Sequence, residues 1–346
     1  MTYLSTSGAG SPRTPELDNP QLIALDWGTS SCRAYLLGPD GVVLDSRAGG
    51  RGVMAVTENV ADRPAAFAAE LEDLVGTWIQ DSPDLPLLAC GMIGSNQGWA
   101  EADYRRLPVD LWARPEGLTP VPAGRDRLWI VPGLLKGGPD DGAEALPDVM
   151  RGEETQLLGV LPDSVEGSAE HVVVLPGTHT KWVRLTGSVV TDFSTSMTGE
   201  LYALLVQDSI LGRLAEQPRQ PDPDAFQRGL DVSFRTPGGP DGVLGTLFSA
   251  RTLVMTGRLP ATGVYDYISG LLIGAEVAAF TRQLLPPEHG VHRPAITICA
   301  NPTLTTRYAR ALEQAGFTIT LAPSDAAARG LWRTALTTGL VTKETP

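Results

Sequence analysis

Two short segments carry the residue types that hold phosphate. Asp26-Trp27-Gly28-Thr29-Ser30-Ser31 ends an apolar strand with a carboxylate, a glycine and three hydroxyls, and Gly177-Thr178-His179-Thr180-Lys181 offers the same donors plus a cation. Glycine lets the backbone come close enough for its N–H groups to point at phosphate oxygens, and hydroxyl side chains add donors. Gly28, Thr29 and Ser30 in the first segment, and Gly177, Thr178 and Lys181 in the second, are therefore candidate nucleotide-phosphate contacts. Asp26 is the candidate metal ligand, because a carboxylate at that strand end can hold the Mg²⁺ that accompanies ATP, usually through water. Each segment alone also fits a polar hairpin turn, and it is their pairing that favours phosphate. Neither is a Walker loop, since no GxxxxGK[ST] is present and strands follow both. His179 fits a hydrogen-bond donor better than a base.

Phosphoryl transfer to an alcohol needs a carboxylate near the acceptor hydroxyl. Arg151-Gly152-Glu153-Glu154 places two acids and an arginine at a helix start just before the second loop. Acids there also complement a helix dipole, so Glu153 and Glu154 have a purely structural reading beside the catalytic one. Spacing does not tell them apart. The stretch Gly91 to Tyr104 is a glycine-rich loop with Ser95, Asn96, Gln97 and Trp99. Amides, a hydroxyl and an aromatic ring suit a polyol pocket, and equally an ordinary turn with a packed Trp. Thr198 and Glu200, near the start of a helix, read as capping residues.

The elements around these segments alternate strand and helix. Apolar strands run into Asp26 and Gly177, and each loop is followed by a second strand, a turn and a third strand. The recurrence of this unit about half a chain length later implies two related domains of mixed α/β structure. Helices are expected at 65–79, 153–160, 263–285, 304–315 and 325–337, with strands at 85–90, 295–300 and 317–321. The segment Pro218 to Pro240, rich in Pro, Asp and Gly, reads as a loop.

The 346 residues are 42% hydrophobic and 19% charged, as in a soluble globular protein. A net charge of −13 argues against non-specific nucleic-acid binding but not against an anionic substrate held by local cations. Cys32, Cys90 and Cys299 show no metal-ligand spacing and read as buried reduced thiols. The longest apolar runs fall short of the ~20 residues of a membrane span. Residues 1–20 lack an apolar signal core, so a floppy extension and a cytoplasmic protein are expected.

With these residues assembled, the chain resembles the 2-dehydro-3-deoxygalactonokinase family, within the sugar kinases of the actin-like ATPase superfamily. The resemblance rests on LDWGTSSCRA and LPGTHTKWV for the phosphate segments, with GMIGSNQGW, PDVMRGEETQLLG and MTGELYALL, and runs from about Leu22 to Leu340. It implies two actin-like (ribonuclease H-like) domains with mixed sheets flanking an ATP cleft. The implied division is 21–160, with the first phosphate loop and sugar pocket, and 161–346, with the second loop and adenosine site. GEETQLLG stands where related carbohydrate kinases carry an acid-bearing GDQ, which puts Glu153 opposite their catalytic Asp. Cys299 to Phe317 resembles the adenosine segment and makes Asn301 a candidate nucleotide contact.

The implied reaction is ATP-dependent phosphorylation of 2-dehydro-3-deoxy-D-galactonate at its 6-hydroxyl, a step of galactonate catabolism. Ser95, Asn96, Gln97 and Trp99 would line the sugar pocket, with Arg33 or Arg151 pairing the carboxylate. The chain departs from the family pattern at Asn96, where an arginine is expected, and at Ala300-Asn301-Pro302, where many relatives carry a glycine pair. ATP, Mg²⁺ and a small sugar acid are the expected ligands, with no nucleic acid or membrane partner and a homo-oligomer left open. The alternatives are a kinase for another sugar or sugar acid and a non-kinase actin-like ATPase or sensor. A Rossmann dehydrogenase is excluded because no GxGxxG follows the first strand.

Overall fold

A computed structural model describes residues 19–121, 128–138, 146–163, 169–235, 242–284 and 295–342. The extension expected at the N-terminus lies, up to residue 18, outside them. The chain forms two compact units: Met1–Asp103 with Arg114–Pro132 and Ala327–Pro346, and Tyr104–Ala113 with Gly133–Ala326. Both are discontinuous in sequence, unlike the single division at 160 that the sequence suggests.

In the first unit, β1 (Leu22–Trp27), β2 (Ser31–Leu37) and β3 (Val43–Arg51) are followed by α1 (Val53–Thr57), α2 (Arg63–Asp81) and β4 (Leu87–Cys90). β5 (Tyr104–Arg106) and β6 (Val109–Asp110) belong to the second unit, and the first resumes with β7 (Thr119–Pro120) and β8 (Leu128–Ile130). Its sheet has the order β3-β2-β1-β4-β8-β7. β1 is antiparallel to β2 and parallel to β4, so the sheet is mixed. β1 is buried on both faces, as befits a central strand. Ile23, Leu25 and Trp27 pack against Phe67, Leu71 and Val75 of α2. Leu22 and Ala24 face the other way, onto Ala328, Leu331 and Trp332.

The second unit continues with β9 (Gly133–Lys136), β10 (Asp148–Met150), α3 (Glu153–Val160), β11 (Glu170–Leu175), β12 (Thr180–Thr186) and β13 (Val189–Ser196). Four helices follow: α4 (Thr198–Gln207), α5 (Pro223–Arg235), α6 (Gly242–Leu247) and α7 (Ser249–Met255). Then come α8 (Val264–Leu284), β14 (Ile296–Ile298), α9 (Pro302–Gln314) and β15 (Ile319–Leu321), before α10 (Ala326–Thr338) packs on the first unit's sheet. The second large sheet has the order β15-β14-β11-β12-β13-β6. Its central strand is again antiparallel to the strand after it and parallel to the one that follows a helical excursion. Both units thus repeat one topology, three antiparallel strands followed by two parallel ones, which is the ribonuclease H-like plan. Two copies in one chain make the actin-like architecture expected from the sequence.

Two expectations need correction. Pro218 to Pro240 is not simply a loop, for α5 occupies Pro223–Arg235. Proline and aspartate are there because they start a helix: the Asp222 carboxylate accepts from the N–H groups of Asp224 and Ala225 at 3.1 and 2.9 Å. Phe226 and Leu230 then bury α5 in the core. The stretch Ala261–Arg282, with a mean hydropathy of 1.2, is also long and apolar enough to cross a membrane. Some 78% of it is buried within the fold, so it is a core helix whose apolar surface the protein itself covers.

Candidate active site

The first phosphate segment is held from behind. Trp27 is buried and its Nε1 donates to the carbonyl of Arg51 at 2.9 Å. Gly28 N–H donates to the Ser31 carbonyl at 2.9 Å and closes the turn. The carbonyls of Gly28 and Thr29 accept from Val53 and Met54 at the start of α1, at 3.1 and 3.2 Å. Carbonyl oxygens that would repel a phosphate are thereby occupied, while Thr29 and Ser30 stay exposed. Gly52 permits this contact, because a Cβ there would stand 2.3 Å from the Thr29 carbonyl oxygen. Glu70 anchors the preceding Arg51, accepting from its backbone N–H at 2.7 Å and its Nε at 2.6 Å.

The loop after β4 leaves the same end of the sheet, since Asp26 and Cys90 are register partners of parallel strands. The Cys90 thiol lies 3.9 Å from Asp26 Oδ1. Arg33, exposed on β2, is the register partner of Asp26 on the other side. Ser95 is buried, and its Oγ accepts from Gln97 N–H at 3.3 Å. Asn96 and Gln97 are exposed, and the Asn96 carbonyl accepts from Arg63 at 2.7 Å. Trp99 turns inward: it is 5% exposed and stacks on Phe67 at 5.8 Å, and Phe67 meets Trp27 edge-on at 5.3 Å. The Trp99 Nε1 has no hydrogen-bond partner among the described residues.

In the second unit, β10 delivers Arg151, Gly152, Glu153 and Glu154 to the start of α3. Both glutamates fold back onto the N–H groups that a helix start leaves unsatisfied. Glu153 Oε2 accepts from Arg151 N–H at 3.0 Å, and Glu154 Oε2 from Gly152 N–H at 2.6 Å. Glu154 also accepts from the Thr155 hydroxyl at 3.0 Å. Burial, reinforced by the charge of Glu153, pushes its pKa up to about 7. Glu153 is only half-buried and is the more accessible of the pair. The Arg151 guanidinium is buried and lies 4.2 Å over the Tyr104 ring.

The second phosphate segment repeats the bracing of the first. The Thr178 carbonyl accepts from Glu200 N–H at 3.0 Å, in the first turn of α4. A Cβ at Gly199 would stand 2.2 Å from the Gly177 carbonyl oxygen. Thr178 and His179 are exposed, and His179 Nε2 lies 2.5 Å from Glu200 Oε2. Lys181 points elsewhere than the sequence suggests. It is buried, and its ammonium donates to the Val149 carbonyl at 3.1 Å and to the Thr195 hydroxyl at 2.8 Å. Asp148 completes the junction, accepting from Thr195 N–H and Oγ1 at 2.7 Å each.

Beneath this loop Glu276, buried on α8, gathers donors from three other elements. It accepts from Trp182 Nε1 at 2.7 Å, from Tyr308 OH at 2.9 Å and from the Thr198 hydroxyl. Tyr308 OH also meets Thr180 Oγ1 at 3.0 Å. Burial raises the Glu276 pKa, opposed by these hydrogen bonds. The turn after β14 leaves the sheet beside the second loop, because β11 and β14 are parallel neighbours. Asn301 is exposed there and caps α9, its Oδ1 accepting from Leu304 N–H at 3.0 Å. An open pocket of about 360 Å³ lies alongside, walled by Pro221, Pro223 and Phe226 and by Pro302, Thr303 and Thr306 of α9.

Within the first unit, the structure brings Asp26, Gly28, Thr29, Ser30 and Arg33 together at one sheet end, with Ser95, Asn96 and Gln97 on the neighbouring loop; Trp99 leaves that loop for the core. Within the second, Lys181 joins the strand after Gly177 and Thr178 to the strand leading into Arg151, Glu153 and Glu154. Sequence reasoning missed the bracing glycines, the Glu276 junction, the wall from Pro221 to Phe226 and the partnership of His179 with Glu200. The signal for the glycines was present, since Gly52 and Gly199 both stand at the helix start after a third strand.

Two ribonuclease H-like units in one chain define the actin-like class, and a hydroxyl-bearing loop after each first strand with an accessible acid at a helix start is what a carbohydrate kinase of that class requires. A model of the 2-keto-3-deoxy-galactonokinase family matches residues 26–334. The chain belongs to that family. It is 37% identical over 308 residues to the 2-dehydro-3-deoxygalactonokinase of Escherichia coli (strain K12), covering 88% of this chain and 94% of that protein. A relative from Rhizobium meliloti (strain 1021) is 33% identical over 321 residues, covering 89% of this chain and 97% of that one. A crystal structure described as a 2-dehydro-3-deoxygalactonokinase protein from Sinorhizobium meliloti superposes with a TM-score of 0.75 at 33% identity, covering 91% of this chain and 95% of that one.

Proposed function

We propose that this chain transfers the γ-phosphoryl group of ATP to the 6-hydroxyl of 2-dehydro-3-deoxy-D-galactonate, a step of galactonate breakdown. The 6-oxygen attacks the γ-phosphorus, the bond from that phosphorus to the β,γ-bridging oxygen breaks, and ADP leaves. The hydroxyl proton passes to Glu153, the accessible acid at the start of α3. Glu154, buried and held by Gly152 and Thr155, keeps that helix start in place. The family match over residues 26–334 is the observation that carries this assignment.

Gly28, Thr29 and Ser30, with Gly177 and Thr178, hold phosphates through loops whose carbonyls are engaged elsewhere. Lys181 serves by positioning the strand that leads to Glu153. The pocket beside Asn301 suits an adenosine group, with proline and phenylalanine surfaces for the ring. Ser95, Asn96 and Gln97 face the sugar acid, Trp99 fixes their loop from the core, and Arg33 and Arg151 are the two guanidinium groups offered to its carboxylate. A magnesium ion needs few protein ligands, because it keeps waters and binds substrate phosphates. The half-buried carboxylate of Asp26 at the strand end fits that role, and the ion would neutralise phosphate charge when bound with ATP.

The test is ADP release, measured by a coupled assay, with 2-dehydro-3-deoxygalactonate and its gluconate epimer as acceptors. Release that depends on the galactonate is expected. Release indifferent to either acid would overturn the assignment in favour of an ATPase. Asn96 favours keeping one further outcome in view: preference for another sugar acid, which a panel of aldonates and 2-keto-3-deoxy acids would reveal.

A further inference from the structure

We propose that Asp266 is a positioning residue of the nucleoside pocket: its single carboxylate ties both walls of that pocket to α8 and so sets the pocket's width. The inference rests on the reading of the pocket beside Asn301 as the adenosine site and adds what gives that site its span. The two walls come from distant parts of the chain, Pro221 to Phe226 around the start of α5 and Pro302 to Thr306 at the start of α9. Asp266, in the first turn of α8, is 2% exposed and lines the same pocket. Its Oδ2 accepts from the N–H of Asp222, the residue before α5, at 2.7 Å. Its Oδ1 meets the guanidinium of Arg307, on α9, in an ion pair. Each oxygen thus serves one wall.

The α5 wall has little slack of its own, because α5 lies on α8 at backbone distance. A Cβ at Gly229 would stand 2.3 Å from the Tyr267 carbonyl oxygen, and one at Gly270 2.1 Å from the Phe226 carbonyl oxygen. The α9 wall depends on side chains. The Arg307 guanidinium lies 5.4 Å over the Phe226 ring, and Arg310 donates to the Pro223 carbonyl at 3.3 Å and to Gln227 at 2.5 Å. An ion pair as buried as Arg307 with Asp266 is costly to leave half-made, which keeps the arginine on its carboxylate. Tyr308, the next residue, holds α9 farther along α8 through Glu276 at 2.9 Å. Breaking the pair should therefore shift the pocket end of α9 without releasing the helix. The phosphate loops stand on other elements and should keep their shape.

The experiment compares Asp266→Asn, Arg307→Met, their double variant, Arg307→Lys and Thr303→Trp with the native chain. ADP affinity is read by calorimetry, the KM values for ATP and sugar acid by steady-state kinetics, and folding by thermal melts. Inhibition by tripolyphosphate, which carries phosphates without a nucleoside, is measured beside them. Asp266→Asn and Arg307→Met should each weaken ADP binding and raise the ATP KM about tenfold, with tripolyphosphate inhibition and the sugar-acid KM within about twofold. The double variant should lose no more than the worse single one, because the two residues share one contact. Arg307→Lys, which keeps the charge without the planar fork, should recover part of the loss. Thr303→Trp fills the pocket from α9 without touching the pair and should weaken ADP binding at least about a hundredfold. Native ADP affinity in Asp266→Asn and Arg307→Met, with a loss in Thr303→Trp, overturns the positioning role alone. Equal losses for ADP and tripolyphosphate also overturn it, since they mark a general loosening. Unchanged ADP affinity in a folded Thr303→Trp removes the adenosine reading of the pocket as well.

Discussion

The ammonium of Lys181 rests on the carbonyl oxygen of Val149, 3.1 Å away, and so fastens the strand after the Gly177 loop to the strand that ends at Met150. Glu153 follows Val149 by four positions. Lys181→Met should leave the Val149 carbonyl and Thr195 hydroxyl short of a donor in a buried place, costing about 1–3 kcal/mol of stability. If Lys181 positions the acid, kcat should fall more than about tenfold while the KM for the sugar acid changes little. A denaturant titration beside a kinetic comparison would separate the two effects.

The two glutamates of α3 should behave differently. Glu153→Gln removes the proposed proton acceptor and should lower kcat by about 10²–10⁴ with the fold intact. Glu154→Gln keeps the shape of a buried carboxyl whose pKa burial raises to about 7 and whose proposed role is structural, so its loss of kcat should be much smaller. Single-turnover phosphate transfer measures both without interference from product release. Similar losses in the two variants would contradict this division of roles.

Glu154 also predicts how stability varies with pH. Its folded pKa of about 7 is raised above the ordinary carboxylate value, so the folded state favours the neutral form. The associated stability is fully present below the ordinary carboxylate pKa and is lost as pH rises through about 7. From pH 4.5 to 8 the native chain should therefore lose up to about 3 kcal/mol that Glu154→Gln does not lose. Urea titrations of both at several pH values would show the difference, and parallel curves would refute it.

Alanine at Gly199 would place a Cβ 2.2 Å from the Gly177 carbonyl oxygen and 2.8 Å from the Thr178 Cα, both backbone atoms with no flexible side chain to yield. Either α4 or the loop must shift, at about 1–3 kcal/mol. The ATP KM should rise, whereas alanine at Gly177, which has nothing within 4 Å of a Cβ, should fold normally. Thermal melts with and without ADP would resolve whether the shift falls on the loop.

Glu276→Ala would strand the Trp182 Nε1 donor in the interior and leave the Tyr308 and Thr198 hydroxyls only Thr180 and Ser196 as partners. An orphaned buried donor costs about 1–3 kcal/mol, and the loss of the shared acceptor adds to it. Glu276→Gln and Tyr308→Phe should be milder, and chemical denaturation of the three would rank them.

The two strand–loop–strand units were legible in the sequence because their pattern is local: an apolar strand, a polar glycine turn and a second strand lie within a few residues of each other. The acids of α3 were legible for the same reason. Orientation was not. Lys181 follows a phosphate loop and invites a phosphate role, yet its partners come from Val149 and Thr195, which only sheet pairing brings near. Trp99 suggested a sugar surface, while its ring completes a stack with Phe67 on α2. Pro223 and Asp222 looked like loop residues because the residues that start a helix are also those that break one. Glu276 lay in an apolar stretch, with nothing nearby in sequence to signal that Trp182 and Tyr308 converge on it.

The packing of α10 on β1 also sets an order of events during biosynthesis. Leu22, Ala24, Leu88 and Cys90 leave the ribosome early, whereas Ala328, Leu331 and Trp332, which cover them, are made only after the whole second unit. A nascent chain can close the core under α2 early, but its other sheet face stays wet until α10 has been made. The second unit, whose core needs nothing made later, can be complete first. Chaperones that recognise exposed apolar sheet would therefore meet β1 and β4 until α10 arrives to cover them.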